Sequence, residues 1–352
     1  MTAAGTSPQA DAAPAASAPG ADHRDRLRVL DGWRALSILM VIAGHWLPLG
    51  PKWLELNAAV AAGGMAIFFT LSGFLITRFL LERQEVGAFL IRRVLRILPL
   101  AWAAMVGLAL VNGWSATAGL LPFNLAFVAN LPPARLLPGG EHLWSLCVEM
   151  HFYAGVALLV GVAGRRGLYA LPVLALAVTL ARVVAGETLS IVTWHRVDEI
   201  LAGATICLIY QGVLGERLQR LFATSSFALA ALAATAAVYF FDSPLAYLRP
   251  YAVAWMVGVT LWHAPAWARR LLESRPAAYI AEISYALYVF HAMFAHGWLG
   301  SGDLLEKYAK RPLLAAVTWA AAHLSTFYYE QRFINLARNL TSRRERRPLT
   351  AL

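Results

Sequence analysis

Apolar runs recur near residues 33–50, 58–80, 94–112, 116–131, 143–162, 168–185, 199–214, 223–241, 249–264, 279–299 and 313–334. Several reach the ~20 residues that carry an α-helix across a hydrocarbon core. Between them lie basic clusters: Arg24/Arg26/Arg28, Arg78/Arg83 with Arg92/Arg93/Arg96, Arg165/Arg166, Arg217/Arg220, Arg269/Arg270/Arg275 and the Arg343–Arg347 tail. Such clusters favour the cytosolic side. All of them share one side if the run 116–131 does not cross. That run is short, begins after Gly113 and ends before Pro132-Pro133. It reads as a re-entrant or interfacial segment on the outer side, where protein must cover its irregular backbone. The pattern predicts an all-α, polytopic membrane helical bundle of about ten transmembrane helices plus that one segment. Both termini are expected in the cytosol and the chain in the inner (plasma) membrane. No internal repeat is visible.

Composition supports the membrane reading. The chain is 59% hydrophobic and 14% charged, against ~25% charged in a soluble domain, so it has too few charges to clothe a soluble core. The net charge of +10 would suggest nucleic acid in a soluble protein. Here its clustering between apolar runs assigns it to topology, and no nucleic-acid partner is expected. Cys147 and Cys207 sit in apolar runs and imply neither a disulfide framework nor a metal site. Residues 1–25 begin as an Ala/Pro-rich stretch without apolar periodicity, expected as a disordered cytosolic tail rather than a signal peptide. Residues 26–338 form the expected membrane domain and 339–352 a basic cytosolic tail.

Ionisable groups within spans are costly and mark functional sites. The first span carries Arg34 and His45, eleven residues apart. That is close to three helical turns, so both leave one face, ~16 Å apart along the axis. The spacing suits a long substrate held by its phosphate at Arg34, with its reactive end at His45. The plainer alternative is a snorkelling arginine and a satisfied core histidine. Asp31 suits a helix N-cap. Ser72-Gly73 in the second span are small residues that suit close helix packing. Arg92, Arg93 and Arg96 follow. Their fork geometry suits phosphates, or they anchor the chain at anionic lipid. Glu149, in the fifth span, is expected at a depth comparable with His45. A buried carboxylate needs a partner: His45, whose charged form it would stabilise, or an arginine such as Arg196. His291 in the tenth span could be a second pocket residue.

Together these segments resemble the integral-membrane acyltransferase-three family, which includes bacterial O-acetylases of exopolysaccharide, lipopolysaccharide and peptidoglycan and acylases of macrolides. The matching stretches are Leu30-Asp31-Gly32-Trp33-Arg34-Ala35 with Gly44-His45, Phe68-Phe69 with Ser72-Gly73-Phe74-Leu75-Ile76-Thr77, and Arg92-Arg93 with Arg96-Ile97 and Pro99. Leu143-Trp144-Ser145-Leu146 with Glu149 and Phe152-Tyr153, Ser284-Tyr285 with Leu287-Tyr288 and His291, and Glu330 follow in the family's order. The resemblance implies a ten-helix domain, a cytosolic acyl-CoA donor, the Arg34–His45 pair as functional core and Arg92, Arg93 and Arg96 as the donor-binding group. Two departures stand out. Met150-His151 follow Glu149 where many members have a second acid, and Gln331-Arg332 follow Glu330 where a basic residue and a proline are usual.

The expected mechanism docks the donor phosphates on Arg92, Arg93 and Arg96, helped by Arg34 and Arg78, and threads the pantetheine arm to His45. Oriented by Glu149, His45 deprotonates an acceptor hydroxyl, or in a variant carries the acyl group itself. Ser72, Trp144 and His291 line the expected substrate pocket. Acyl-CoA, with acetyl the expected group, is a co-substrate. No cofactor is expected to be permanently bound, and no metal. The acceptor is expected to be a cell-surface polysaccharide or its lipid-linked precursor, with a cytosolic small molecule such as a macrolide as the alternative. A proton-coupled transporter using Arg34, His45, Glu149 and His291 as a relay is the rival class. Oligomeric state is not legible. Cysteine labelling should place 82–92, 164–167, 215–221 and 266–277 in the cytosol and 132–141, 186–197 and 300–311 outside. An external Arg165 would mean that 116–131 crosses.

Overall fold

The computed structural model of the chain describes residues 19–83 and 85–345. It is predominantly helical, with no strand among the described residues. The principal helices are α1 (Pro19–Trp46), α2 (Leu56–Arg83), α3 (Val86–Val111), α4 (Trp144–Ala163), α5 (Leu171–Ala185), α6 (Asp198–Tyr210), α7 (Glu216–Thr224), α8 (Phe227–Tyr239), α9 (Arg249–Val259), α10 (Arg275–His296), α11 (Arg311–Leu324) and α12 (Gln331–Glu345). A π-helical turn, Ser325–Glu330, joins the last two.

Four helical stretches are long and apolar enough to cross a membrane: Lys52–Arg83, Val86–Val111, Glu141–Ala185 and Arg275–His296. The α7–α8 pair, bent by 90°, makes a fifth if it counts as one broken span. The ten crossings expected from the apolar runs do not follow from helix length. α6, α9 and α11 have 13, 11 and 14 residues, short of the ~20 a crossing needs. Of the expected N-terminal tail, residues 1–18 lie outside the described residues, and α1 already begins at Pro19. Of the expected C-terminal tail, 339–345 complete α12 and 346–352 lie outside the described residues. Asp31 is not a cap. It lies inside α1 and pairs with Arg34 at 3.1 Å.

Small residues set the tightest crossing. A Cβ on Gly73 would stand 1.8 Å from the carbonyl oxygen of Ile200, and one on Gly203 would stand 2.0 Å from that of Thr70. The backbones of α2 and α6 are therefore in contact. Without a hydrophobic drive between helices in lipid, such close packing is a main source of association. The same crossing aligns the α2 face that carries Phe68, Phe69 and Ser72.

A buried ionic group ties α5, α6 and α9. Arg182 pairs with Asp198 at 2.5 Å, Arg249 with Glu199 at 2.8 Å and Arg196 with Glu199 at 3.4 Å, all essentially without solvent exposure. Arg196, the alternative partner considered for Glu149, is thus committed to Glu199. Its guanidinium lies over the rings of Trp144 and Phe69 at 5.4 and 5.9 Å.

Residues 112–140 form no crossing helix. They hold two short turns, Trp114–Thr117 and Leu121–Leu125, and then irregular chain. Buried asparagines satisfy that chain's carbonyls, as irregular backbone at depth requires. Asn124 donates to Leu120 and Arg135, while Asn130 ties the segment to the carbonyl of Ile191. The expected non-crossing segment is there, and it covers the start of α4. Replacing Gly73 by valine should push α2 off α6. The expected loss is about 1–3 kcal/mol or more, read as a lower unfolding temperature in detergent, whereas Gly155→Val, where a Cβ meets open space, should leave it unchanged.

Candidate active site

His45 stands in the last turn of α1, exposed on its outer edge. Its Nδ1 lies 3.0 Å from Nε2 of His291, and the two rings stack with centroids 5.1 Å apart. His291 is fully buried on α10. Its own Nδ1 lies 2.7 Å from the carbonyl oxygen of Tyr288. A carbonyl only accepts, so His291 carries its proton on Nδ1 and presents a lone pair at Nε2. His45 must then donate from Nδ1, which leaves its Nε2 as an unprotonated nitrogen on the exposed edge. Trp46 donates to the carbonyl of His291 at 3.2 Å and fixes α1 against α10.

A third histidine backs the pair. His142 donates from Nε2 to the carbonyl of Val289 at 3.1 Å and presents its ring edge to His291, centroids 4.9 Å apart. Its Nδ1 is buried with no hydrogen-bond partner among the described residues. Among the described residues no group of three or more His, Cys, Asp or Glu side chains is placed to hold a metal ion.

Glu149 does not reach His45. Ser72 and Tyr153 both donate to its Oε1, Tyr153 at 2.9 Å. It lines a cavity of about 400 Å³ together with Arg34, Arg78, Arg93, Arg96 and Ser72. Glu149 therefore belongs to the depth of Arg34. Counting along one helical run, His142 and Glu149 are seven residues apart, roughly 10 Å. His142 is thus the residue of this element that reaches the histidines. The expected His45–Glu149 pair is replaced by His45–His291.

A second cavity, of about 460 Å³, adjoins the first through Phe79, Arg93 and Arg96, and adds Arg83, Arg92 and Arg338. In the other direction the route closes. Phe68 and Ser284 pass from the first cavity to a void of about 10 Å³, also lined by Tyr288. That holds roughly one water. Phe68 and Tyr288 stack there, centroids 6.0 Å apart and planes 8° apart. Tyr288 is held by donating to the His142 carbonyl and accepting from Ser145 at 2.6 Å.

A family profile described as an acyltransferase domain matches residues 27–328, and with them every residue of both polar layers except Arg338. The chain belongs to this acyltransferase family. Nodulation protein 10 of Rhizobium leguminosarum bv. viciae is 26% identical to it over 367 residues, 92% of this chain and 96% of that protein. No solved structure matches.

In the acyltransferase, the sequence-expected residues divide into two groups. Arg34, Arg78, Arg93, Arg96, Ser72 and Glu149 meet in the first cavity. Arg92 lies in the second, donating twice to Thr341 at 3.0 and 3.1 Å. His45 and His291 meet at the far end of α1, with His291 behind His45 rather than in a pocket. Trp144, expected in the substrate pocket, lines neither cavity and instead carries Arg196. Sequence reasoning missed His142, Tyr153 and Arg338. Tyr153 had a signal, since four residues after Glu149 places it on the same helix face. Because Ser72 and Tyr153 share one oxygen of Glu149, Ser72→Ala and Tyr153→Phe should couple. A double-mutant cycle on thermal stability should show about 0.5–3 kcal/mol of interaction, and simple additivity would separate them.

Proposed function

We propose that the protein is an O-acyltransferase, moving an acyl group, with acetyl the expected one, from acyl-CoA to a hydroxyl of a cell-surface glycan or its lipid-linked precursor. The observation that carries this reading is the pair of opposed sites on α1. An exposed histidine with an outward lone pair stands at one end, and an arginine-lined cavity at the other. The nucleotide phosphates of the donor are strong anions, and four arginines against Glu82 and Glu149 give the first cavity an excess of positive charge. By the positive-inside rule this basic end faces the cytosol, where acyl-CoA is made. His45 then faces outward. Because its ring is exposed rather than enclosed, a polymer can present a hydroxyl without entering the bundle. The ten-span topology with cytosolic termini accompanies this reading.

In this mechanism Nε2 of His45 takes the proton of the acceptor hydroxyl as its oxygen attacks the thioester carbonyl. The resulting imidazolium keeps its Nδ1–H on the lone pair of His291, the orienting role that a carboxylate fills in other catalytic triads. Collapse of the tetrahedral adduct forms the ester, breaks the carbon–sulfur bond and returns the proton from Nε2 to the departing thiolate. Arg34 and Glu149 act at the donor cavity, Arg34 on phosphate and Glu149 as the fixed countercharge beside Arg93 and Arg96. The thioester reaches His45 only when Phe68 and Tyr288 part.

His45→Gln should cut transfer by about 10²–10⁴-fold, the worth of a positioned base, while CoA binding persists. His291→Leu should lose much of the rate, and His291→Gln should restore part of it, since the amide oxygen can still accept from His45 Nδ1. Near wild-type turnover by His45→Gln in a thioester-consumption assay with glycan acceptor would remove His45 from the chemistry. Retained thioester consumption by His291→Leu would remove the dyad alone.

A further inference from the structure

The second cavity is a basic chamber that the chemistry above leaves unassigned. Arg83, Arg92, Arg93, Arg96 and Arg338 line it, and among the described residues no acid does. The guanidinium groups of Arg93, Arg96 and Arg338 give this lining a positive potential that favours an anion. Phe79 and Phe89 supply aromatic wall beside them, with Arg92 lying 5.6 Å over the Phe79 ring. Aromatic faces, guanidinium forks and a chamber of this size together fit a nucleotide bearing several phosphates.

One wall of this chamber comes from α12. Ile334, Ala337 and Arg338 face it, and Thr341, one turn on, is fully buried and accepts both hydrogen bonds from Arg92. These four share a helix face. The Arg92–Thr341 contact therefore pins the helix with Arg338 over the chamber. Arg338 is exposed and has no ion pair among the described residues. The family match ends at residue 328, so this helix lies beyond the part of the chain that identifies the family.

We propose that α12 is a wall of the donor site and that Arg338 binds a phosphate of the donor's nucleotide. The adenosine with its 3′-phosphate occupies the arginine chamber, the diphosphate lies where the two cavities adjoin, within reach of Arg93, Arg96 and Arg34, and the pantetheine arm runs on through the first cavity toward Phe68. This rests on the acyl-CoA reading of the donor. A lipid headgroup offers the same phosphate chemistry, and the test separates the two sources.

The full-length protein is placed in nanodiscs of phosphatidylcholine alone and in discs containing phosphatidylglycerol. Calorimetry then measures binding of coenzyme A, adenosine 3′,5′-bisphosphate and pantetheine to the wild type, Arg338→Ala and Arg338→Lys. Arg338→Ala should weaken coenzyme A and the bisphosphate by about tenfold or more, the scale of one charge-assisted contact. It should leave pantetheine unchanged in both kinds of disc, and Arg338→Lys should recover part of the loss. Equal coenzyme A affinity in wild type and Arg338→Ala overturns this inference alone. An effect of Arg338→Ala confined to phosphatidylglycerol discs also overturns it, since the residue then serves headgroups. A wild type that binds no coenzyme A overturns the donor reading and this inference with it.

Discussion

The carbonyl oxygen of Tyr288 accepts from Nδ1 of His291 at 2.7 Å, and that one contact decides the protonation of the whole cluster. A peptide carbonyl cannot donate, so the imidazole of His291 has only one tautomer available in this place. Its Nε2 must then accept, His45 must donate from Nδ1, and the remaining nitrogen of His45 is left with its lone pair on the exposed edge. A helix backbone thus orients a base through a neutral intermediary. The two residues that hold α10 in register reinforce it: Trp46 on the His291 carbonyl and His142 on that of Val289. With no charge buried beside His45, the pair is cheap to place in a membrane protein, where an unpaired carboxylate at that depth would cost several kcal/mol.

Charge is concentrated elsewhere. The arginines gather at the other end of α1, around Glu149, which is held by Ser72 and Tyr153. Between the two layers the bundle is aromatic and nearly closed, with Phe68 stacked on Tyr288. The same tyrosine closes the passage and holds the carbonyl of His142. Movement of that ring would therefore be felt by the histidines.

Much of this was legible in the chain. Arg34 and His45 lie along one face of α1 because eleven residues make almost three turns, and α10 repeats the device with Ser284 at the cavity and His291 at the base. The arginine run of α3 was visible as a candidate group, and Arg93 and Arg96 line both cavities. The partner of Glu149 was not legible. Glu149 was expected at a depth comparable with His45, whereas it lines the first cavity with Arg34, and it is His142, seven residues earlier, that stands beside His291. Arg196 had a nearer acid in Glu199, three residues on. The count of crossings rested on the apolar runs other than 116–131, and helix length alone supports four or five of them, since α6, α9 and α11 are short. The role of α12 was illegible because its sequence is polar and reads as a tail until Thr341 is seen beneath Arg92.

The tautomer of His45 is the quantity on which the account turns. It can be measured on protein labelled with ¹⁵N at histidine in lipid discs, with the signals of His45 and His291 assigned by His45→Gln and His291→Gln. The account predicts that the proton of His45 resides on Nδ1, that its Nε2 gives the shift of an unprotonated ring nitrogen, and that His291 shows the same tautomer. A His45 protonated at Nε2, with its lone pair at Nδ1, would contradict it, because the nitrogen facing the acceptor could then take no proton.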